Sequence, residues 1–251
     1  MKALVTGAAR RVGRAIAVEL ARSGFEVAVH HRGTTQDVLE TLRLCEEAGG
    51  SAWAIQADLE TVEGCRALVD AVRDRWDELH VLVHNASSFE PRPFEGITLE
   101  AWDRMMAIHA RAPFLVTQGL LDRLRAARSC AAGAEPGEGG LVVCMLDIGA
   151  ERPLPGYTPY SVSKAGLLML MRSLAVELAP AVRCIGVSPG QVAWPEGYGE
   201  PLREAIRKRI PMRRVGAPED VARLVRFVAL ESPYLNGVVV DVDGGLAVRY
   251  G

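Results

Sequence analysis

Lysine is nearly missing from this chain. Only Lys2, Lys164 and Lys208 carry an ammonium, in a sequence with 29 basic residues, so an ammonium set among aromatic neighbours stands out. Charge of one sign is missing too. The 29 basic and 31 acidic residues leave a formal charge of −2, which offers no electrostatic footprint for nucleic acid or for a membrane surface. No apolar run reaches the length of a membrane-spanning helix, and the chain enters an apolar strand almost at once, so neither a membrane span nor a signal peptide is expected. The five cysteines, Cys45, Cys65, Cys130, Cys144 and Cys184, are odd in number and lack CxxC spacing. They read as reduced, mostly buried thiols of a cytoplasmic protein and not as metal ligands.

What is present is apolar and ordered. Hydrophobic residues make up 49% of 251 residues, enough for a large core. Apolar, β-rich runs at 2–6, 25–30, 51–56, 79–84, 141–146, 182–187 and 238–242 alternate with helix-period segments near 11–23, 35–48, 61–76, 98–127, 157–179 and 218–230. Strand followed by helix, repeated, predicts an α/β fold: one doubly wound parallel sheet of seven strands with helices on both faces. Runs such as "VLVH" and "LVVCM" lack polar alternation, as strands buried on both faces do. The stretch "RSCAAGAEPGEGG" reads as an exposed loop too short to divide the chain. Residues 1–251 are therefore expected to form one domain. A substrate loop at about 190–212 follows the sixth strand, and its Gly and Pro content suits a mobile lid.

The first strand runs into "TGAARRVG". Gly7 would allow a tight turn and Gly13 would let the helix pack close to the strand, so that the helix N-terminus faces a pyrophosphate. Alone, this degenerate pattern is weak; at the start of a strand–helix–strand unit it gains weight. The second strand ends in "VAVHHRG", where an NAD-preferring site usually places an acid. His30, His31 and Arg32 stand there instead, with no carboxylate until Asp37. A cation at that strand end suits a 2′-phosphate, and Arg10 could reach the same group, so NADP(H) is the expected cofactor. Asp58, after the third strand, would accept from an adenine amino group, and Asn85, after the fourth, would hold that strand end against the cofactor. Either could instead be a turn or cap residue.

In "YTPYSVSKAG", Tyr160 and Lys164 are four apart and share a helix face. A phenol with a pKa of about 10 is a poor acid at neutral pH; an ammonium one turn away should bring that value down. Such a pair suits reduction of a carbonyl or imine, with hydride from a nicotinamide and a proton from Tyr160.

Taken together, "TGAARRVG", "ADL", "HNAS", the Tyr160–Lys164 pair, "SPG" at 188–190 and "VDGG" at 242–245 resemble the short-chain dehydrogenase/reductases across essentially the whole chain. The resemblance implies a Rossmann-like fold and a homotetramer. It also implies that Val12, Leu59, Ala86, Ser87, Pro189, Gly190 and Val192 line the cofactor beside Gly7, Arg10, Arg11, Gly13, His31, Arg32, Asp58, Asn85, Tyr160 and Lys164. Three positions depart from the usual family pattern: Arg11 replaces a glycine, Asp147 a serine thirteen residues before the tyrosine, and His109 a helical asparagine. Arg11 with Asp147, and "HNASSF", "HHRG" and "GYTPYSVSK", resemble the pteridine reductases; "MMAIHARAP" looks like the dihydromonapterin reductases of that branch.

An ionised Asp147 beside Tyr160 would oppose Lys164. It makes sense if the substrate brings ring nitrogens that need protons, or if burial keeps Asp147 protonated as a donor. A pterin-like small molecule reduced at a C=N bond is thus expected. Arg11 would bridge pyrophosphate and pterin, Phe89 would stack on the ring, and Ser87 and Tyr157 would contact ring or cofactor. Trp194 completes the expected substrate contacts. Arg11 could also bind phosphate only, Phe89 could be core, and Asp147 could be a loop cap; His109 is either a relay member or a helix-packing histidine. The other readings are a general NADPH-dependent ketone or quinone reductase and a nucleotide sensor without turnover. The intact Tyr160–Lys164 pair argues against the sensor.

Overall fold

A computed structural model describes residues 1–33, 35–194 and 199–248. In chain order the elements are β1 (Lys2–Val5), α1 (Arg11–Arg22), β2 (Glu26–His31), α2 (Thr35–Glu47), β3 (Ser51–Gln56), α3 (Val62–Arg75), β4 (Val81–His84), α4 (Leu99–Met106), α5 (Ala112–Gly119), α6 (Leu121–Ala126), β5 (Leu141–Met145), α7 (Thr158–Glu177), β6 (Arg183–Pro189), α8 (Glu200–Arg209), α9 (Pro218–Leu230) and β7 (Val239–Val242). The strands form one sheet in the order β3-β2-β1-β4-β5-β6-β7, with parallel pairing throughout.

Alternation along each strand sends neighbouring side chains to opposite faces. Leu4, Ala28, Leu82, Val142 and Cys184 pack with Leu68 and Val72 of α3, Val116 of α5 and Met171 of α7. Their chain neighbours Val5, Val27, Val29, Val83, Val143 and Ile185 pack on the other face with Ile16 and Leu20 of α1 and Val221 and Val225 of α9. Cys45, Cys65, Cys144 and Cys184 are buried free thiols, and Cys130 is half-buried. The strand order reverses between β1 and β4, and ligands of such sheets bind outside the carboxyl ends of the strands at that switch point.

Two elements differ from the sequence reading. The helix expected over 98–127 is broken: a π-helical turn spans Ala107–Arg111 between α4 and α5, and a second break follows Gly119. Pro113 has no amide hydrogen to give the carbonyl four residues back, so the helix loosens just ahead of it. The loop expected at about 190–212 contains α8, while its residues 195–198 lie outside the described residues. Glu, Arg, Lys, Ala and Leu are strong helix formers, but α8 buries no residue and so gives little apolar periodicity to detect.

Candidate active site

The β1–α1 turn is built from backbone. Gly7 has φ 62, and a Cβ there would lie 2.8 Å from the Ala86 Cα. A Cβ on Gly13 would lie 2.3 Å from the Gly7 carbonyl oxygen. Asn85 fastens the end of β4 to this turn, its Nδ2 donating to the carbonyls of Thr6 at 2.9 Å and Gly7 at 3.0 Å. Among the described residues no side chain caps α1, and its first turn holds no acid. Its free amides and positive dipole end suit an anion, and Val12 is half-buried beside them.

Arg14 was not foreseen as bracing this turn, and His30, read from sequence as one of the basic residues at the end of β2, is a neutral brace instead. His30 is buried at the end of β2; its Nδ1 accepts from the Gly7 amide at 3.0 Å, and its Nε2 lies 3.1 Å from the Ala57 carbonyl. Burial pulls its pKa down to about 4, so the ring is neutral and accepts at Nδ1. Arg14 donates to the Ala9 carbonyl at 2.9 Å and meets Asp37 Oδ1 at 3.4 Å, which engages the first carboxylate after β2. A histidine at the buried end of a parallel strand was the available sign for His30.

At the β2 and β3 ends, Arg32 pairs with Glu60 at 2.8 Å. That acid lies close in space although distant in sequence, which corrects the expectation that no carboxylate competes for Arg32. His31 Nδ1 is buried and, among the described residues, has no partner. Asp58 is exposed, and its Oδ1 accepts from the Glu60 amide at 3.0 Å, the turn geometry weighed from sequence. The Leu59 side chain belongs to the core, as does that of Val192; only backbone is left to face a ligand at these two positions. Arg10 is exposed at the N-cap of α1, Pro189 ends β6 and Gly190 follows it.

Arg11, the residue in the glycine position, has φ 55. A side chain in the left-handed region costs about 1–2 kcal/mol. Its Nη2 donates to the Trp194 carbonyl at 3.3 Å, which joins the first turn to the segment after β6. Arg203 and Arg207 of α8 lie 5.5 Å and 5.8 Å from the Trp194 ring.

Tyr160 is 5% exposed and Lys164 is 3% exposed. The Lys164 Nζ donates to the Met145 carbonyl at 2.7 Å and stands 5.8 Å from the Tyr160 ring centre. Burial brings its pKa down to about 8, opposed by the charge of Asp147. Tyr160 moves against the sequence expectation. Burial, then the charge of Asp147 and a side-chain hydrogen bond with it, raise the phenol well above its ordinary value. Lys164 does not win because it is itself desolvated and bonded to a carbonyl. Asp147 also caps a short 3₁₀ turn, its Oδ1 accepting from the Gly149 amide at 2.6 Å.

Phe89 is 40% exposed, which removes the core reading. It stacks on Tyr157 with centroids 4.3 Å apart and meets the Tyr160 ring edge-on at 4.8 Å. The Arg92 amide donates to the Gly156 carbonyl at 2.7 Å, so the loops after β4 and before α7 form one aromatic wall. His109, in the π turn, is 1% exposed. Its Nε2 lies 2.8 Å from Ser87 Oγ and its Nδ1 lies 2.8 Å from Ser163 Oγ.

Comparison with known proteins agrees with this geometry. Residues 7–247 match a family model described as enoyl-(acyl carrier protein) reductase. The chain is 30% identical to 3beta-hydroxysteroid dehydrogenase 1 of Eggerthella lenta over 254 residues, covering 99% of this chain and 94% of that protein. It is 32% identical to pteridine reductase 1 of Leishmania tarentolae over 282 residues, covering 98% and 96%. The crystal structure of the angucycline C-6 ketoreductase LanV with bound NADP superposes with a TM-score of 0.88 at 27% identity, covering 99% and 96%. A glycine turn at the β1/β4 switch point, a buried tyrosine–lysine pair and this whole-length similarity have one explanation: the chain belongs to the short-chain dehydrogenase/reductase family of NAD(P)(H)-dependent oxidoreductases, which act on small molecules.

Proposed function

We propose that this chain is an NADPH-dependent reductase of a pteridine-type C=N bond, carrying a dihydropterin or dihydrofolate to the tetrahydro form. The observation that carries the reading is the charge of Asp147 beside the buried Tyr160, which raises the phenol further. A ketone reductase is served by a neutral hydroxyl beside its tyrosine; a carboxylate there raises the phenol and opposes that chemistry. A substrate rich in ring N–H groups turns the carboxylate into an asset, because it gives Asp147 donors to accept from. Arg11 supplies the complementary donor for a ring carbonyl or nitrogen, and the left-handed backbone it tolerates supports a functional demand at that position. Phe89 offers an exposed aromatic face on which a flat ring would stack. Pteridine reductase 1 among the relatives supports the same substrate class.

The uncapped α1 terminus and the glycine turn fit the pyrophosphate of a dinucleotide. Arg32, Arg10 and the unpartnered His31 nitrogen would meet a 2′-phosphate, with Arg32 leaving Glu60. When bound, the reduced nicotinamide supplies hydride to the carbon of the C=N bond. Tyr160, kept protonated by burial, supplies the proton that the ring nitrogen takes up. Asp147 orients that hydroxyl, and Lys164 sets a positive charge beneath it. A single domain assembled as a homotetramer completes the reading.

The second reading is a general carbonyl reductase, favoured by the likeness to the ketoreductase LanV. NADPH oxidation with dihydrobiopterin, dihydrofolate, a quinone and a small diketone separates the two. The highest kcat/KM should fall on a dihydropterin; a quinone or diketone in first place would favour the second reading. NADH in place of NADPH should lower efficiency at least tenfold, and Arg32→Asp should remove that preference. Equal efficiency with both cofactors in the unmodified protein would overturn the NADPH assignment.

A further inference from the structure

A hydrogen-bond chain runs from the backbone of α7 to the exposed loop after β4, and its direction follows from which atoms are able to donate. The Tyr160 carbonyl oxygen only accepts. Ser163 Oγ lies 2.7 Å from it, so the single Ser163 hydroxyl proton is committed there. The 2.8 Å contact between Ser163 Oγ and His109 Nδ1 must then be donated by the ring, which places a hydrogen on Nδ1. Burial, reinforced by the Lys164 charge, holds the His109 pKa well below its ordinary value. The ring is thus neutral, and Nε2 is an acceptor. The Ser88 amide, 3.4 Å from Nε2, is oriented toward it in the same sense. Ser87 Oγ, 2.8 Å from Nε2, must give its only proton to the ring. The Ser88 carbonyl at 3.5 Å is too distant to compete for that proton.

We propose that His109 is a positioning residue that fixes the polarity of Ser87, leaving only oxygen lone pairs toward the cleft, so that Ser87 selects a ligand group presenting an N–H or O–H. Ser87 is exposed beside Phe89 and follows Ala86, which closes on Gly7; a ligand touching both the cofactor turn and the aromatic wall passes it. Carbonyl and phosphate oxygens meet a lone pair there and are disfavoured. The amino and ring N–H groups of a pterin edge suit it, and for that identity the inference rests on the proposed function. It assigns His109 neither to a proton relay nor to packing alone.

The direct test is the tautomer. In protein labelled with ¹⁵N at histidine, long-range ¹H–¹⁵N spectra of the intact protein should give His109 as neutral with the hydrogen on Nδ1. A hydrogen on Nε2, or an imidazolium at pH 7, would overturn the proposal. The second test is a double-mutant cycle. With dihydrobiopterin, Ser87→Ala should raise KM roughly fivefold with kcat nearly unchanged, the loss of one neutral hydrogen bond. In a His109→Phe background, the same change should add little. His109→Gln, whose amide can both donate and accept, should keep most of the coupling; if His109→Phe does not fold, the tautomer spectrum decides. Equal costs of Ser87→Ala in the unmodified protein and in His109→Phe would overturn the proposal. If the unmodified enzyme turns over no dihydropterin, the proposed function fails; the tautomer spectrum still decides the inference.

Discussion

One methyl group added at Gly13 would lie 2.3 Å from the Gly7 carbonyl oxygen, whereas across the cleft Phe89 is 40% exposed and rests on Tyr157 with ring centroids 4.3 Å apart. The end proposed for the cofactor is closed by main chain, with Asn85, His30 and Arg14 bracing carbonyls and amides. The end proposed for the substrate is closed by side chains from loops joined by a backbone bridge, Arg92 to Gly156. Main-chain packing at a turn leaves no slack, so the first end has one solution. Aromatic rings on loops can be exchanged without disturbing the sheet, so the second end is where a common fold changes its substrate.

The largest expected effect separates chemistry from binding. Tyr160→Phe removes the proposed proton donor while the glycine turn and Lys164 stay in place, so turnover should fall on the order of 10²–10⁴-fold. NADPH affinity, measured by fluorescence titration, should stay near that of the unmodified protein. Near-normal turnover would place the proton source elsewhere, with Asp147 the first suspect.

Gly13→Ala against Phe89→Leu breaks the comparison most simply. The alanine methyl overlaps two backbone groups and the Asn85 amide, and overpacking of this kind costs about 1–3 kcal/mol. Melting temperature and NADPH affinity should both drop. Phe89→Leu should leave both nearly unchanged and raise only the substrate KM. A loss of NADPH affinity in Phe89→Leu equal to that in Gly13→Ala would erase the distinction between the two ends.

The smallest effects are in pH. Folding holds His30 near 4 against an ordinary 6.5, so the unfolded chain binds more protons between those values. Stability should therefore be intact above about 6.5 and decline by about 3 kcal/mol as pH falls to 4. Lys164, held near 8 against 10.5, should act with the same sign, stability rising between pH 8 and 10.5. Turnover should move the other way and fall through pH 8 as the ammonium is lost. Denaturant titrations and rate profiles across pH 4–10 check both signs. A rate that rises through pH 8 would exclude a working ammonium at Lys164.

The inner strands were legible because both sheet faces are buried there and runs such as β4 and β5 are continuously apolar; the edge strands β3 and β7 are more exposed, yet all seven agree with the sequence reading to within two residues at their ends. The Tyr160–Lys164 pair, the Asn85 tether and the glycine turn were legible because one turn of chain or one strand end determines them. What was hidden depends on distance across the fold. Glu60 reaches Arg32 from the next strand end, His30 acts through a ring nitrogen on a turn 23 residues away, and the direction of the Tyr160 shift depends on how deeply the phenol itself is buried and then on the charge of Asp147 beside it. The π turn at His109 was concealed by a helical pattern that runs on through Pro113.

Asp147→Ser tests the central claim most directly, with kcat/KM measured for dihydrobiopterin and for a small diketone on the same preparations. If Asp147 adapts the site to a nitrogen-rich ring, the loss of a charge-assisted hydrogen bond of about 1.5–3 kcal/mol should cut the pterin efficiency more than tenfold. Diketone efficiency should hold or improve as the phenol is relieved of the neighbouring charge, and Arg11→Gly should lower the pterin rate while sparing most NADPH affinity. Equal losses on pterin and diketone would contradict the account and leave Asp147 as the cap of a 3₁₀ turn.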